Sequence, residues 1–414
     1  MTSRGCHTAL LGVALALMAA GSLREVITPL GYWVAWLAWA AATVTYVRPR
    51  RGEGAGFWLP AGIMASYGLL VLGMLVSAGA NRDWVSAYQA LKIVIIAGMF
   101  LAMWWLALRT GWAQFMTALY WVVGLVVTGL VLTVAMDPAK GYVPLMGGGR
   151  QDSILAEHGV LWKAGALFLP MFLAGVVAWP RARLLNVLMA TACVFIVLLD
   201  GSRTAQLVLA ATLAGFVAFV AWCGGWRVLR QTLAWLLLVP VILVGVQLIG
   251  TSVNGWHKAS SASVPVAAEG AVAATFSTRL GRGDPARVKL LKAGIPQAID
   301  CLPLGCGFAR TATDVGRGTP MPVHNAYLAA LGDFGVLGLL GMLGFVLAAW
   351  QPIYRVIRGA VGFEQGCFIV AAAGSALGYG MALMLNTFTT EMSEWGYLIV
   401  MLAFAWAPAR ALDE

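Results

Sequence analysis

A chain of 414 residues that is 61% hydrophobic and only 11% charged, with a mean hydropathy of +0.83, is not an ordinary soluble domain, in which about a quarter of residues carry charge. A membrane-crossing helix needs about 20 mainly apolar residues, so this length has room for roughly a dozen. The 27 Lys+Arg exceed the 17 Asp+Glu by a net +10, and where those charges fall matters more than their sum. The composition predicts an all-α polytopic membrane protein.

In chain order, apolar runs cut by charges and turn residues predict about 12 transmembrane helices, at 8–23, 30–47, 57–78, 91–108, 112–135, 159–179, 184–199, 204–223, 231–250, 325–350, 367–386 and 395–408. The first is read as a span and not as a cleavable signal, because Arg24 and Glu25 follow it without a small-x-small cleavage site. Lys and Arg in short loops set orientation. They concentrate in alternate connections: Arg48, Arg50 and Arg51; Arg109; Arg181 and Arg183; Arg227 and Arg230; Arg355 and Arg358; and Arg410. This pattern places both termini in the cytoplasm. The organisation is then spans one to nine over 1–250, an outer loop with short amphipathic helices over 251–323, and spans ten to twelve over 324–414.

Two segments on the opposite side carry more charge. One is 136–158, with Lys140, Arg150, Asp152, Glu157 and His158. The other is 251–323, which from residue 279 onward gathers Arg279, Arg282, Arg287, Lys289, Lys292, Arg310 and Arg317. Long loops are translocated largely regardless of charge, so a tolerated basic loop and an anion site both fit. Within the second segment, Asp284-Pro285 reads as a cap followed by Pro at the first helical position. The helix that follows places Val288, Leu291 and Ile295 on one stripe, with Lys289 and Lys292 beside it, and Pro296 is expected to end or kink it. Such a helix suits the membrane surface, its cations meeting phosphate-level charge.

Few residues offer chemistry. His7 and His257 fit incidental, solvated positions, and His158 stands at the mouth of the sixth span. His324 opens the tenth span in Pro322-Val323-His324-Asn325-Ala326-Tyr327-Leu328. It either caps that helix or serves as a base. A helix N-terminus and nearby arginines disfavour imidazolium, and a base must be neutral. Arg203, in Asp200-Gly201-Ser202-Arg203, either pairs with Asp200 or presents its planar fork to a phosphate. There is no Walker-type loop, no Asp-x-Asp pair for a metal-bound nucleotide sugar, and no zinc spacing among the cysteines. Arginines, one histidine and no evident metal ligands suit departure of a phosphate-bearing group from a lipid.

Three stretches carry a family resemblance. Gly281-Arg282 through Arg287, then Asp300-Cys301-Leu302-Pro303-Leu304-Gly305-Cys306-Gly307-Phe308, then His324-Asn325-Ala326-Tyr327-Leu328 running to Asp333-Phe334-Gly335-Val336-Leu337-Gly338-Leu339, resemble the shared signature of O-antigen ligases and polymerases. That signature is an arginine, a Pro-Leu-x-Gly-x-Gly turn, and His-Asn-x-Tyr-Leu leading to an acid-x-Gly-x-x-Gly-Leu helix. Ser202-Arg203 resembles the family's Ser-Arg at an outer helix end. The chain departs from the pattern in two places. Leu291 stands where a tryptophan often follows the loop arginine, which leaves Arg279 and Arg282 as candidates beside Arg287, and Asp333 replaces the usual Glu.

The resemblance implies a metal-independent, inverting glycosyltransferase of the GT-C type, without cofactor or metal, in the bacterial inner membrane with its active site facing the periplasm. The donor would be O-antigen polysaccharide on undecaprenyl diphosphate. For a ligase the acceptor is a sugar hydroxyl of lipid A–core; for a polymerase, the runner-up, it is a growing lipid-linked chain. A non-catalytic flippase of lipid-linked glycans is the alternative from another class. Membrane lipids are expected partners and nucleic acid is not. His324 would take the acceptor proton, while Arg203, Arg287, Arg279, Arg282 and Arg150 would hold the diphosphate. Cys301 and Cys306, the two cysteines expected outside, are close enough in sequence to pair in an oxidising compartment.

Overall fold

The computed structural model describes residues 3–21, 27–47, 60–136, 161–200, 202–245, 285–314 and 320–410. Arg150, His158, His257, Arg279 and Arg282 lie outside the described residues. The first seven helices are α1 (Ser3–Ala19), α2 (Thr28–Val47), α3 (Ala61–Asn81), α4 (Trp84–Arg109), α5 (Trp112–Met136), α6 (Leu161–Ala178) and α7 (Arg183–Asp200). They are followed by α8 (Arg203–Phe219), α9 (Gly225–Leu236), α10 (Pro285–Asp300), α11 (Ala326–Ile357), α12 (Phe363–Leu383) and α13 (Met392–Arg410). Strands β1 (Ala312–Thr313) and β2 (Met321–Pro322) form a short antiparallel ribbon between α10 and α11. Among the described residues nine helical runs are long and apolar enough to cross a membrane, and Gly5–Ala19 and Met392–Ala407 are shorter apolar helices. The chain is a multi-pass membrane protein.

Three sequence expectations need correction. Spans eight and nine, expected apart at 204–223 and 231–250, share one helical run, Arg203–Gly245. Arg227 and Arg230, expected in a loop, stand exposed on α9, whose Leu229 and Thr232 are buried. An amphipathic helix carries charge on its exposed face without interruption. The break comes instead at Gly225, whose φ of +73° follows a π-helical turn at Val220–Gly224. The fourth span begins at Trp84 and not at 91, because Gln89, in the added stretch, finds a partner by accepting the Thr390 hydroxyl; within the span Lys92 pairs with Glu391 at 2.6 Å. Pro296 does not end α10, which runs on to Asp300.

The chain forms two compact units. The first comprises Met1–Ala35, Thr110–Gly283 and Gly362–Ala371. Its α6 is buried along its whole length. A Cβ added at Gly165 would lie 2.6 Å from the Cys193 carbonyl of α7, so this pair closes on a small residue, as helices in membranes do.

The second unit comprises Trp36–Arg109, Asp284–Val361 and Ala372–Glu414. Here α3 and α11 meet backbone to backbone. A Cβ at Gly73 would lie 2.7 Å from the Gly338 nitrogen, and one at Gly341 would lie 2.7 Å from the Leu70 nitrogen. This close crossing fixes α11, and α11 carries the residues discussed next.

Candidate active site

Helix α11 is broken at Gly335, where φ is +71° and ψ is −163°, a region open essentially to glycine alone. A broken ladder inside a membrane protein must have its backbone groups satisfied by other parts of the protein. The turn 301–308 supplies them. Pro303 O accepts from Val336 N at 3.1 Å, while Cys306 N and Gly307 N donate to Gly332 O and Asp333 O at 2.9 and 3.0 Å. The Ser77 hydroxyl also donates to Asp333 O at 2.7 Å, and the Asn81 amide donates to Gly305 O at 2.8 Å. Gly305 has φ +84°, and a Cβ there would strike the Asp333 carbonyl. The Pro-Leu-x-Gly-x-Gly and acid-x-Gly halves of the signature therefore interlock. A Cys301–Cys306 disulfide closes the same turn, Cα to Cα 5.2 Å.

The Asp333 side chain carries the lock onward. It is 3% exposed. Its Oδ2 accepts from Ala309 N at 2.8 Å, and its Oδ1 accepts from Thr311 N and the Thr311 hydroxyl at 2.9 and 2.7 Å. Thr311 O in turn accepts from Val323 N at 3.0 Å, one residue before His324. The ribbon pairs Ala312 with Pro322 and Thr313 with Met321. A chain of bonds thus runs from the buried carboxylate to the backbone next to the histidine.

His324 itself does not cap α11. Asn325 does, its Oδ1 accepting from Tyr327 N and Leu328 N at 3.1 and 3.0 Å. The His324 ring is half-buried and places Nδ1 3.2 Å from Pro322 O. A carbonyl oxygen only accepts, so Nδ1 is the donor in this contact, and in a neutral ring the lone pair is then on Nε2. That is the tautomer a proton acceptor needs.

Beside α11 lies α10, which begins at Pro285 as its sequence predicts. A Cβ at Gly294 would meet Val323 and Leu328, and one at Gly332 would meet Ala298. The two contacts advance in the same direction along both helices, so the start of α10 lies at the His324 end of α11. Arg287 is half-buried and shares a face with Leu290, Gly294 and Ala298, the residues buried on that helix. The structure therefore brings Arg287 and His324 to one end of a packed helix pair. Gln297 ties α10 to the ribbon through Ala312 O at 3.2 Å and the Thr313 hydroxyl at 3.0 Å.

Arg203 belongs to the first unit. It is the first residue of α8 after Ser202, whose hydroxyl accepts from Ala205 N at 3.4 Å. Asp200, fully buried, accepts from Trp162 N at 3.3 Å. Lys163, which was not among the sequence candidates, is buried in the first turn of α6, its Nζ 5.9 Å from the Trp162 ring centre. A lysine inside an apolar run was its signal in the sequence.

Asp83 also went unread. Its Oδ2 accepts from the Ser86 hydroxyl at 2.6 Å and from Phe308 N at 3.2 Å, and its Oδ1 from Val85 N at 3.0 Å. Burial pushes this carboxyl up, but the donors Ser86, Val85 and Phe308 outweigh it and hold the group below its ordinary value. The cluster Ser77, Asn81, Asp83 at the end of an apolar run was legible as polar, but its partners lie more than 200 residues away.

Comparison with known families bears directly on this stretch. Residues 185–343 match the family model of the O-antigen ligases. The O-antigen ligase match takes in Arg203, Arg287, the glycine turn, His324 and Asp333, and it agrees with the resemblance carried by the motifs. It supports a glycosyltransferase-type enzyme acting on lipid-linked glycans in a membrane. No curated protein matches the chain. Among the described residues no group of three or more His, Cys, Asp or Glu side chains is placed to hold a metal.

Proposed function

We propose that this protein is an O-antigen ligase of the bacterial inner membrane, an inverting glycosyltransferase of the GT-C type working at the periplasmic face. The donor is O-antigen on undecaprenyl diphosphate and the acceptor is a sugar hydroxyl of lipid A–core. The acceptor oxygen attacks the anomeric carbon, the bond from that carbon to the diphosphate oxygen breaks, and the hydroxyl proton passes to His324 Nε2. Arg203 and Arg287, with Arg279, Arg282 and Arg150 from segments outside the described residues, meet the leaving diphosphate. Their positive charge takes the part that a divalent ion plays elsewhere.

One observation supports this reading above the others. His324 is not used by the helix it precedes, since Asn325 supplies the cap, and its Nδ1 contact puts the lone pair of a neutral ring on Nε2. A flippase needs no such base. The test is reconstitution of the purified protein with lipid-linked O-antigen and either lipid A–core or a second lipid-linked chain. Transfer to lipid A–core that His324→Ala abolishes is the expected result. Elongation of the lipid-linked chain would make it the polymerase, and translocation without transfer would make it a flippase. Activity that EDTA abolishes and magnesium restores would overturn the metal-free mechanism.

A further inference from the structure

The outer face of α10 is not explained by transfer chemistry. Leu290, Gly294 and Ala298 are buried toward α11, yet the larger aliphatic residues point away. Val288 is 50% exposed, Leu291 41%, Ile295 45% and Ile299 58%, and Leu302 and Leu304 continue the run at 40% and 47%. Spacings of three and four residues make the four helical ones a single stripe. Lys289 and Lys292, both exposed, lie along one edge of it. An aliphatic stripe edged by lysines is the composition of a helix lying in a lipid interface.

The position of α10 along α11 supplies the second observation. Beyond the break at Gly335, residues 336–357 extend about 33 Å at ~1.5 Å per residue, which matches a hydrocarbon core of about 30 Å. The tip of the 301–308 turn sits at the break, where a Cβ on Gly335 would strike Pro303 O and lie 2.7 Å from the Leu304 carbonyl carbon. With residues 336–357 taken to fill the hydrocarbon core, the exposed Leu302 and Leu304 stand at its outer edge, and α10 leads from them toward the His324 end of α11.

We propose that α10 is seated in the leaflet at the His324 end of α11, its aliphatic stripe among acyl chains and Lys289 and Lys292 on anionic lipid phosphates. The bilayer then holds the helix that carries Arg287. The inference does not depend on the transfer reaction, so its failure and failure of the ligase reading are separable.

The test uses the full chain in nanodiscs containing phosphatidylglycerol. Nitroxide labels are placed singly at Leu291→Cys, Ile295→Cys, Ile299→Cys and, as a polar reference, Asp300→Cys, after replacing Cys6, Cys193, Cys223 and Cys367. All four labelled positions lie at the surface, so packing is retained. Oxygen accessibility above that of a water-soluble nickel chelate at 291, 295 and 299, reversed at 300, is the expected result. Greater nickel accessibility on the stripe would place it in water. Protection from both reagents would mean that protein covers it, either a second copy or residues 251–283. Each of these two outcomes overturns the proposal. Combined Lys289→Glu and Lys292→Glu should lower label depth in phosphatidylglycerol and not in phosphatidylcholine. An unchanged depth would overturn the lipid-phosphate assignment.

Discussion

Arg203 and His324 stand at two helix starts built by the same device, a polar cap, but on opposite sides of it. Arg203 follows its cap Ser202 and is part of the first turn of α8. Its backbone is positioned by its own helix, next to N–H groups that already favour an anion. His324 precedes its cap Asn325 and no helix positions it. It is held through Val323, Thr311 and Asp333, and through Asp333 by the turn 301–308. In the roles proposed for them, a guanidinium on a long stem can adjust to phosphate oxygens, whereas a base must meet one proton in line.

The comparison breaks most sharply at the proposed base itself. His324→Ala should lower transfer by about 10²–10⁴-fold, the usual contribution of a general base, with donor binding retained. His324→Asn should do no better, because the cap is already present in Asn325; Asn-variant activity near wild type in the reconstituted assay would remove His324 from the mechanism. Arg203→Ala and Arg287→Ala should each cost about 10²–10³-fold, as for the loss of one donor to a developing anion. Lysine should rescue either poorly, since it lacks the fork, and a competition assay with undecaprenyl diphosphate should show weaker binding.

The supporting bonds give smaller effects. Asp333→Asn should destabilise by about 1–3 kcal/mol, because an amide nitrogen meets N–H groups that need an acceptor. The loss should appear as a lower melting temperature in detergent, accompanied by reduced kcat as the tie to His324 loosens. An unchanged kcat measured well below the melting temperature would show that only folding was affected. The smallest effect concerns pH. The folded Asp83 carboxyl titrates below its ordinary value, so its stabilising contribution is complete above about pH 4 and is lost as pH falls through the lower folded value. Asp83→Asn should therefore flatten the acid limb of the stability profile, and thermal unfolding followed from about pH 5 down to about pH 2 reads it.

Local signals in the sequence carried the parts of this molecule that local physics determines. The start of α10 followed from Pro285, and most membrane helices followed from their apolar runs. The start of α4 did not, because Gln89 looks like an interruption until Thr390 is brought to it. For the same reason the motif glycines were readable as a signature but not as a lock. Gly305 and Gly335 explain each other only once the turn and the broken helix are in contact. His324 was ambiguous between cap and base because its neighbour Asn325 is equally able to cap, and only coordinates assign the cap to one of them.

The patch on the broken helix also sets an order of biogenesis. The turn that satisfies the break at Gly335 lies about thirty residues upstream, so the ribosome delivers the repair before it delivers the fault. When α11 is threaded into the bilayer, the carbonyls of Gly332 and Asp333 meet donors already synthesised. A circularly permuted chain that emitted α11 first would have to insert a helix with exposed backbone groups at its break and wait for the turn to arrive.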